Sequence, residues 1–352
     1  MFPAVLVAAR LDNERDVLPV TLAVLTRAAF PVAVTTNGTD APLERALAIR
    51  DDLLSWSHER SATSKAVNIV RGVGALPESV DHVLLVDADT YVLAPTDPSV
   101  EVPAGHWAIV QFARLIRVER GHWLERVVAM EIAVKALSTY PRRATTSNTA
   151  YFGGSAAMVR RDILEVHSLD ERALVEDIDL SLRCTLAGET VEYQMAPVFV
   201  ESAPATVAAW LVQRRRWASG WLQLCSRYTG RVVRARLPLA TRLAWLRLLL
   251  WRRLVVPLAV VAVAVAVPAG ASPGQELLGL VALVQCAVSA RVILVLRRHS
   301  RLVAEAAGEP PARAAVLAAV LAVPYVTALW SVDVWALMAP VRRWRLTPRS
   351  VS

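Results

Sequence analysis

The chain has 352 residues, 55% of them hydrophobic, with a mean hydropathy of +0.40 and a formal net charge of +8. This is too apolar for an ordinary soluble protein, and because the excess is concentrated after Trp245 it predicts a soluble front half followed by membrane spans. The arginines crowd beside those spans, as cytoplasmic flanks facing anionic lipid do, which speaks against a nucleic-acid partner; three cysteines without paired spacing speak against a disulfide framework or a zinc site.

From Pro3 to about Glu201, short β-branched apolar runs alternate with longer mixed stretches, the pattern of parallel strands joined by helices. The opening run has no basic region before it and no small-residue cleavage site, so it is expected to be a strand rather than a signal peptide. Strands are predicted at 5–8, 31–35, 83–86 and 107–112. Helical spacing predicts helices over 16–28, 42–56, 65–72 and 123–137. In open parallel sheets, ligands sit beyond the carboxyl ends of the strands.

One such end carries the sequence VLLVDADT, residues 83–90. Asp87 and Asp89, one residue apart at the mouth of a sheet, repel each other unless a cation or hydrogen-bond donors compensate them. Oxygen-only ligands suit Mg²⁺ or Mn²⁺, although a plain polar turn would use the same residues. Further on, Gly153 and Gly154 allow backbone to approach a ligand closely, or simply make a turn. The run LVEDIDLSLR, 174–183, opens an amphipathic helix, where Glu176 and Asp177 serve either as capping and dipole partners or, for Asp177, as a general base aimed at a hydroxyl.

The segment QRRRWASGWLQ, 213–223, places Gln213, Arg216, Trp217 and Gly220 along one helix face. Arg can grip a phosphate through two parallel hydrogen bonds, Gln can orient an oxygen, Trp can stack on a sugar, and Gly leaves a gap for another chain. The alternative is a basic segment just outside a bilayer, in which Arg214, off that face, and Arg215 are ordinary cytoplasmic membrane flank. After it come three predicted spans, about 252–272, 276–296 and 314–340. The first has no charge from Leu254 to Gln275. The second is interrupted by Arg291, and the third contains Pro324 and Asp333, so it is either one kinked helix or a shallow hairpin.

The order of these pieces, from a strand ending in Asp-Ala-Asp through Phe-Gly-Gly, Glu-Asp and Gln-Arg-Arg-Arg-Trp to hydrophobic spans, resembles the membrane-bound family-2 glycosyltransferases. That branch includes cellulose, hyaluronan and poly-N-acetylglucosamine synthases and ceramide glucosyltransferase, and the match runs from about Val5 to Gln223. The resemblance implies an α/β GT-A catalytic domain over 1–230, a Rossmann-like, mostly parallel sheet, followed over 231–352 by an interfacial helix and an α-helical transmembrane region. It implies that Asp87, Lys65, Asn68, Gln213 and Arg216 bind the nucleotide-sugar, that Asp89 binds Mg²⁺ or Mn²⁺, and that Asp177 is the base. Trp217 is placed on the acceptor side, with Gly153, Gly154 and Glu176.

The front end departs from the family pattern. Only Asn13 and Glu14 remain of its opening stretch, and Thr36-Asn37-Gly38-Thr39-Asp40 lacks the acid that would recognise the base, leaving Asn37 or Asp12 as substitutes. The expectation is therefore an inverting transferase in the plasma membrane with its catalytic domain cytoplasmic. It would take a nucleotide-sugar donor, UDP-sugars first, and a lipid or membrane-associated glycan acceptor. Processive polysaccharide synthesis is the main alternative, and a non-catalytic sugar- or lipid-binding scaffold the alternative of another class.

Overall fold

The structure is a computed structural model that describes residues 3–27, 31–61, 63–93, 101–250, 286–287, 290–308 and 310–341. Its strands are β1 (Ala4–Arg10), β2 (Val32–Asn37), β3 (Ser55–Glu59), β4 (His82–Asp87), β5 (Tyr91–Val92), β6 (Ile109–Arg117), β7 (Ala157–Arg160) and β8 (Val191–Ser202). They form one sheet in the order β3-β2-β1-β4-β7-β6-β8-β5. β1 to β4 are parallel, β7 runs antiparallel between β4 and β6, β6 and β8 are parallel, and β5 is antiparallel to β8.

The central strands are apolar throughout because both faces are covered. Alternate side chains go to opposite faces: Leu6, Val83 and Leu85 pack with Ile69 and Val73 of α4 (Lys65–Gly74). Val5, Val7, Leu84 and Val86 pack with Leu18, Leu22 and Leu25 of α2 (Leu18–Arg27), which follows the single-turn α1 (Leu11–Glu14). In register, Arg10 lies beside Asn37 and Ala8 beside Asp87, so the parallel strands end together on one rim.

A second layer forms around the far half of the sheet. It contains α5 (Trp123–Val134), α6 (Tyr140–Ser147), α7 (Arg161–His167), α8 (Glu176–Leu186), α9 (Val207–Arg234), α10 (Leu239–Leu250), α11 (Ser300–Ala307) and α12 (Pro311–Met338). α9 is held by α8 and α10 through Val175, Ile178, Trp221, Leu224 and Trp245. On its other side Trp210 and Ala218 join Val127 and Val128 of α5 and Tyr325, Val332 and Ala336 of α12.

Several sequence expectations are corrected. The helix predicted over 42–56 is α3 (Ala41–Ala48) and stops there; Arg50-Asp51-Asp52 breaks the apolar period, and 55–59 pairs with β2 as an edge strand. The helix predicted over 123–137 gives way after Val134 to one wide π turn, Lys135–Thr139, before α6. β7, β8 and the two-residue β5 were not predicted; all are placed by long-range pairing. The third predicted span is a single helix, α12, with Pro324 inside it, rather than a hairpin. Among the described residues no helix is long and apolar enough to cross a membrane. The 252–272 span and most of 276–296 lie outside the described residues, as do Arg342, Arg343, Arg345 and Arg349.

Candidate active site

At the carboxyl rim of the sheet lies a cavity of ≈ 420 Å³, walled by the end of β4, the Gly153–Gly154 loop, the start of α8 and the facing sides of α5, α9 and α10. Six cationic side chains line it, Lys65, Arg114, Lys135, Arg214, Arg216 and Arg247, against three carboxylates, Asp87, Asp177 and Glu201. The excess positive charge suits a polyanionic ligand. Between the charges stand Trp217, Trp221, Tyr151 and the aliphatic side chains of Val128, Ile132 and Val175.

Asp177 sits in the first turn of α8, where its Oδ1 accepts the N–H of Ile178 at 2.8 Å. Burial and the neighbouring Glu176 raise its pKa to about 7, although Lys65 and Arg216 pull the other way. Lys65, at the first position of α4, donates to the Gly154 carbonyl at 2.7 Å and forms a close ion pair with Asp87. Burial alone would lower the Lys65 pKa, but Asp87, Glu176 and Asp177 outweigh it and hold the ammonium charged. The Asp87 N–H in turn donates to Ser155 Oγ at 2.9 Å. One lysine thus ties the helix start, the strand end and the glycine loop together.

That loop admits no side chain at its second glycine without displacement. Gly154 has φ +93°, and a Cβ there would lie 3.0 Å from Asp177 Oδ2. Gly153 donates its N–H to Gln111 Oε1 at 2.7 Å, and a Cβ on it would come within 2.6 Å of Arg114 Nη2. Arg114 was not anticipated. It projects from β6, donates to Glu201 Oε2 of β8 at 2.8 Å, and keeps its charge because Glu201 offsets the effect of burial. Its sequence signal is a cation in the middle of the mostly apolar, largely buried strand IVQFARLIR. Tyr140 and Tyr151, also unanticipated, meet hydroxyl to hydroxyl at 3.2 Å, with Arg143 4.9 Å from the Tyr151 ring centre.

α9 contributes Gln213, Arg214, Arg216 and Trp217 to the lining. Arg216 Nη1 donates to the Leu174 carbonyl at 2.7 Å, just ahead of α8. Gly220 is where the two helices touch: a Cβ there would meet Val175 Cγ1 at 2.7 Å, so the gap expected for another chain is filled by this one. The membrane-flank reading of Arg214 is overturned. It is only 4% exposed and grips Glu131 of α5 with both Nη atoms, at 3.0 and 2.7 Å, because α5 and α12 cover the side of α9 that a helix wheel leaves open. Burial alone would raise the Glu131 pKa, but Arg214 and Lys135 hold it at about 2. Arg215 is not a free flank either; it donates to the Ala339 carbonyl at 2.7 Å and lies 4.1 Å from the Trp335 ring centre.

Residues 82–332, more than half of the chain, match the family described as glycosyl transferase family group 2. The chain belongs to this family. It is 24% identical over 263 residues to glucomannan 4-beta-mannosyltransferase 7 of Arabidopsis thaliana, covering 66% of this chain and 45% of that protein. It is 28% identical over 263 residues to glucomannan 4-beta-mannosyltransferase 1 of Oryza sativa subsp. japonica, covering 66% and 48%. The chain therefore spans about half the length of the curated relatives it matches. Among solved structures it resembles the mannosyltransferase PcManGT from Pyrobaculum calidifontis, solved in complex with GDP-Man and Mn²⁺, with a TM-score of 0.56 at 18% identity over 91% of this chain and 87% of that one. That likeness establishes the GT-A fold.

Not every residue assigned to the site by family resemblance lines the cavity of this family member. Asn68 does not: its Nδ2 donates to the carbonyls of Ala9 and Thr35, at 3.1 and 3.2 Å, and its Oδ1 accepts from Thr35 Oγ1 at 3.0 Å. With its amide spent on two strand ends, it positions α4 rather than a ligand. Asn37 is buried at the end of β2 with its Nδ2 donated to the carbonyl and hydroxyl of Thr63, at 2.8 and 2.7 Å. Glu176 is buried beside Asp177 and is not among the lining residues.

Asp89 is 4% exposed and lies behind the rim, in a turn where the Thr90 N–H donates to the Asp87 carbonyl at 3.0 Å. Among the described residues no three His, Cys, Asp or Glu side chains cluster as a complete metal site. Asp87, which lines the cationic cavity, and Asp89, buried two residues on in the same turn, are nonetheless oxygen ligands that would suit a hard divalent ion whose remaining ligands come from a diphosphate.

Proposed function

We propose that the chain is an inverting glycosyltransferase that moves a hexose from a nucleotide-diphosphate sugar to a hydroxyl of a lipid or membrane-associated glycan. The observation that carries this reading is Asp177, a half-buried carboxyl with its pKa at about 7, facing a cation-lined cavity beside Lys65 and Arg216. A general base works best when its pKa lies near the operating pH. The curated relatives make mannose the first sugar to test, and the lack of an acid at Asn37 leaves GDP- and UDP-sugars both to be tried.

In this reading the cations of Lys65, Arg114 and Arg216 stabilise the diphosphate as negative charge develops on the leaving oxygen. Asp177 takes the proton from the acceptor hydroxyl, whose oxygen forms the new bond to the anomeric carbon as the bond to the diphosphate breaks on the opposite face. Trp217, Trp221 and Tyr151 offer flat apolar surfaces to sugar rings. A Mg²⁺ or Mn²⁺ held by Asp87 and Asp89 would neutralise the leaving diphosphate further.

A membrane setting is supported by exposed Val233, Leu239 and Leu243 alongside exposed Arg231, Arg234 and Arg236, just before the uncharged stretch of the sequence. The test is release of nucleoside diphosphate from a panel of GDP- and UDP-hexoses by the purified chain, with manno-oligosaccharide and lipid acceptors and Asp177→Asn as the control. Turnover that survives intact in Asp177→Asn, or none with any donor, would overturn the reading.

A further inference from the structure

One buried network lies beside the proposed chemistry without taking part in it. Glu131 of α5 accepts from both Nη atoms of Arg214 and is completed by Lys135, one turn along, and by the hydroxyl of Tyr325 from α12. The Arg214 guanidinium stands 4.5 Å from the centre of the Trp217 ring and 5.8 Å from that of Trp210. The Tyr325 ring packs 5.6 Å from Trp210. Trp217 lines the cavity beside Gln213 and Arg216.

Only a planar fork can serve both carboxylate oxygens and still lie over an indole. The Trp217 ring is therefore held by a cation that is itself held at both ends, and the holding group reaches back to a helix more than a hundred residues further along the chain. We propose that Glu131, Arg214 and Tyr325 are positioning residues that fix the Trp217 ring against the acceptor, which makes the C-terminal helix α12 a working part of the active site. This rests on the reading of Trp217 as an acceptor contact. A network that served only helix packing would affect the two substrates alike.

The test uses the full chain with Tyr325→Phe, which keeps the ring on Trp210, and Arg214→Lys, which keeps the charge. The acceptor KM is expected to rise about threefold in the first and at least about tenfold in the second, the scale of hydrogen bonds to a charged group. The nucleotide-sugar KM should stay within about twofold, and the midpoint of the pH profile should not move. Adding Trp217→Ala to Arg214→Lys should cost little more than either alone, because both act through one ring. Equal rises in both KM values, or additive losses in the double variant, would overturn the proposal.

A second measurement does not depend on turnover. The near-ultraviolet circular dichroism that Trp217 contributes, taken as wild type minus Trp217→Phe, should weaken when Arg214→Lys is introduced into both. An unchanged band would overturn the positioning role. Lack of turnover in the wild type would instead count only against the transfer chemistry.

Discussion

Asp177 Oδ2 lies 3.0 Å from the point where a side chain on Gly154 would begin, and Gly154 holds φ +93° while its carbonyl accepts from Lys65. The glycine therefore sets how closely the loop approaches the carboxyl. Gly188 offers the matched control, with φ +88° and nothing within 4 Å of its missing Cβ. Alanine at either position carries the left-handed backbone penalty of about 1–2 kcal/mol. Only Gly154→Ala also pushes on Asp177 and the Lys65 contact, so it is expected to lose about 10²-fold in turnover, the cost of a small misplacement at the reacting centre. Gly188→Ala should show a similar drop in melting temperature with nearly full activity. Equal activities would separate the loop from the chemistry.

Asp177→Asn is expected to lower turnover about 10²–10⁴-fold while leaving nucleotide-sugar binding nearly intact. Because the carboxyl must be ionised to act, wild-type kcat/KM should rise with pH through a midpoint near the folded pKa of about 7. The same shift predicts a change in stability. A carboxyl whose pKa is raised from 3.8 to about 7 in the fold contributes stability below the lower value and loses it as pH rises through the upper. Asp177→Asn should therefore melt higher than wild type at pH 8, and the two should converge towards pH 4. A variant both active and less stable at pH 8 would make Asp177 a helix cap.

Chelation should abolish transfer by the wild type, and Mn²⁺ or Mg²⁺ should restore it. Asp89→Ala is expected to lose about 10²-fold or more in activity and to stop responding to added ion, while Asp87→Ala should also break the ion pair of the half-buried Lys65 ammonium and melt lower. Full wild-type activity in excess chelator would leave Asp89, behind the rim, with a structural role alone.

The legible parts of the site were those encoded locally. Short continuous apolar runs placed β1, β2 and β4, an abrupt polar end on β4 marked Asp87, and helical spacing put Gln213, Arg216 and Trp217 on one face of α9. The rest depends on contacts distant in sequence. A helix wheel says which residues share a face, but not that α5 and α12 would cover the other one, so Arg214 looked like surface. Arg114 and Glu201 become a cavity wall only through the register of β6 with β8. Asn68 follows a family spacing, yet its amide is consumed by carbonyls of β1 and β2. Short β7 and polar, interrupted β8 owe their strand state to their neighbours in the sheet.

Gly220 and Val175 set how α9, with Arg216 and Trp217, seats against α8, with Asp177. A Cβ on Gly220 would lie 2.7 and 2.8 Å from the two Cγ atoms of Val175, closer than carbon atoms approach, and both residues are buried. Arg216 donates to the Leu174 carbonyl next door, so a shift of the helix pair would move the cation and the base relative to each other. Gly220→Ala is therefore expected to cost about 1–3 kcal/mol of stability, the usual scale of overpacking, together with about tenfold or more in activity. Val175→Ala removes both clashing methyl groups, so the Gly220→Ala/Val175→Ala double variant should regain most of the activity and melt higher than Gly220→Ala alone. Thermal melts and initial rates of the four proteins give the coupling directly. If the two substitutions were additive, the contact would not be what sets the spacing between base and cation.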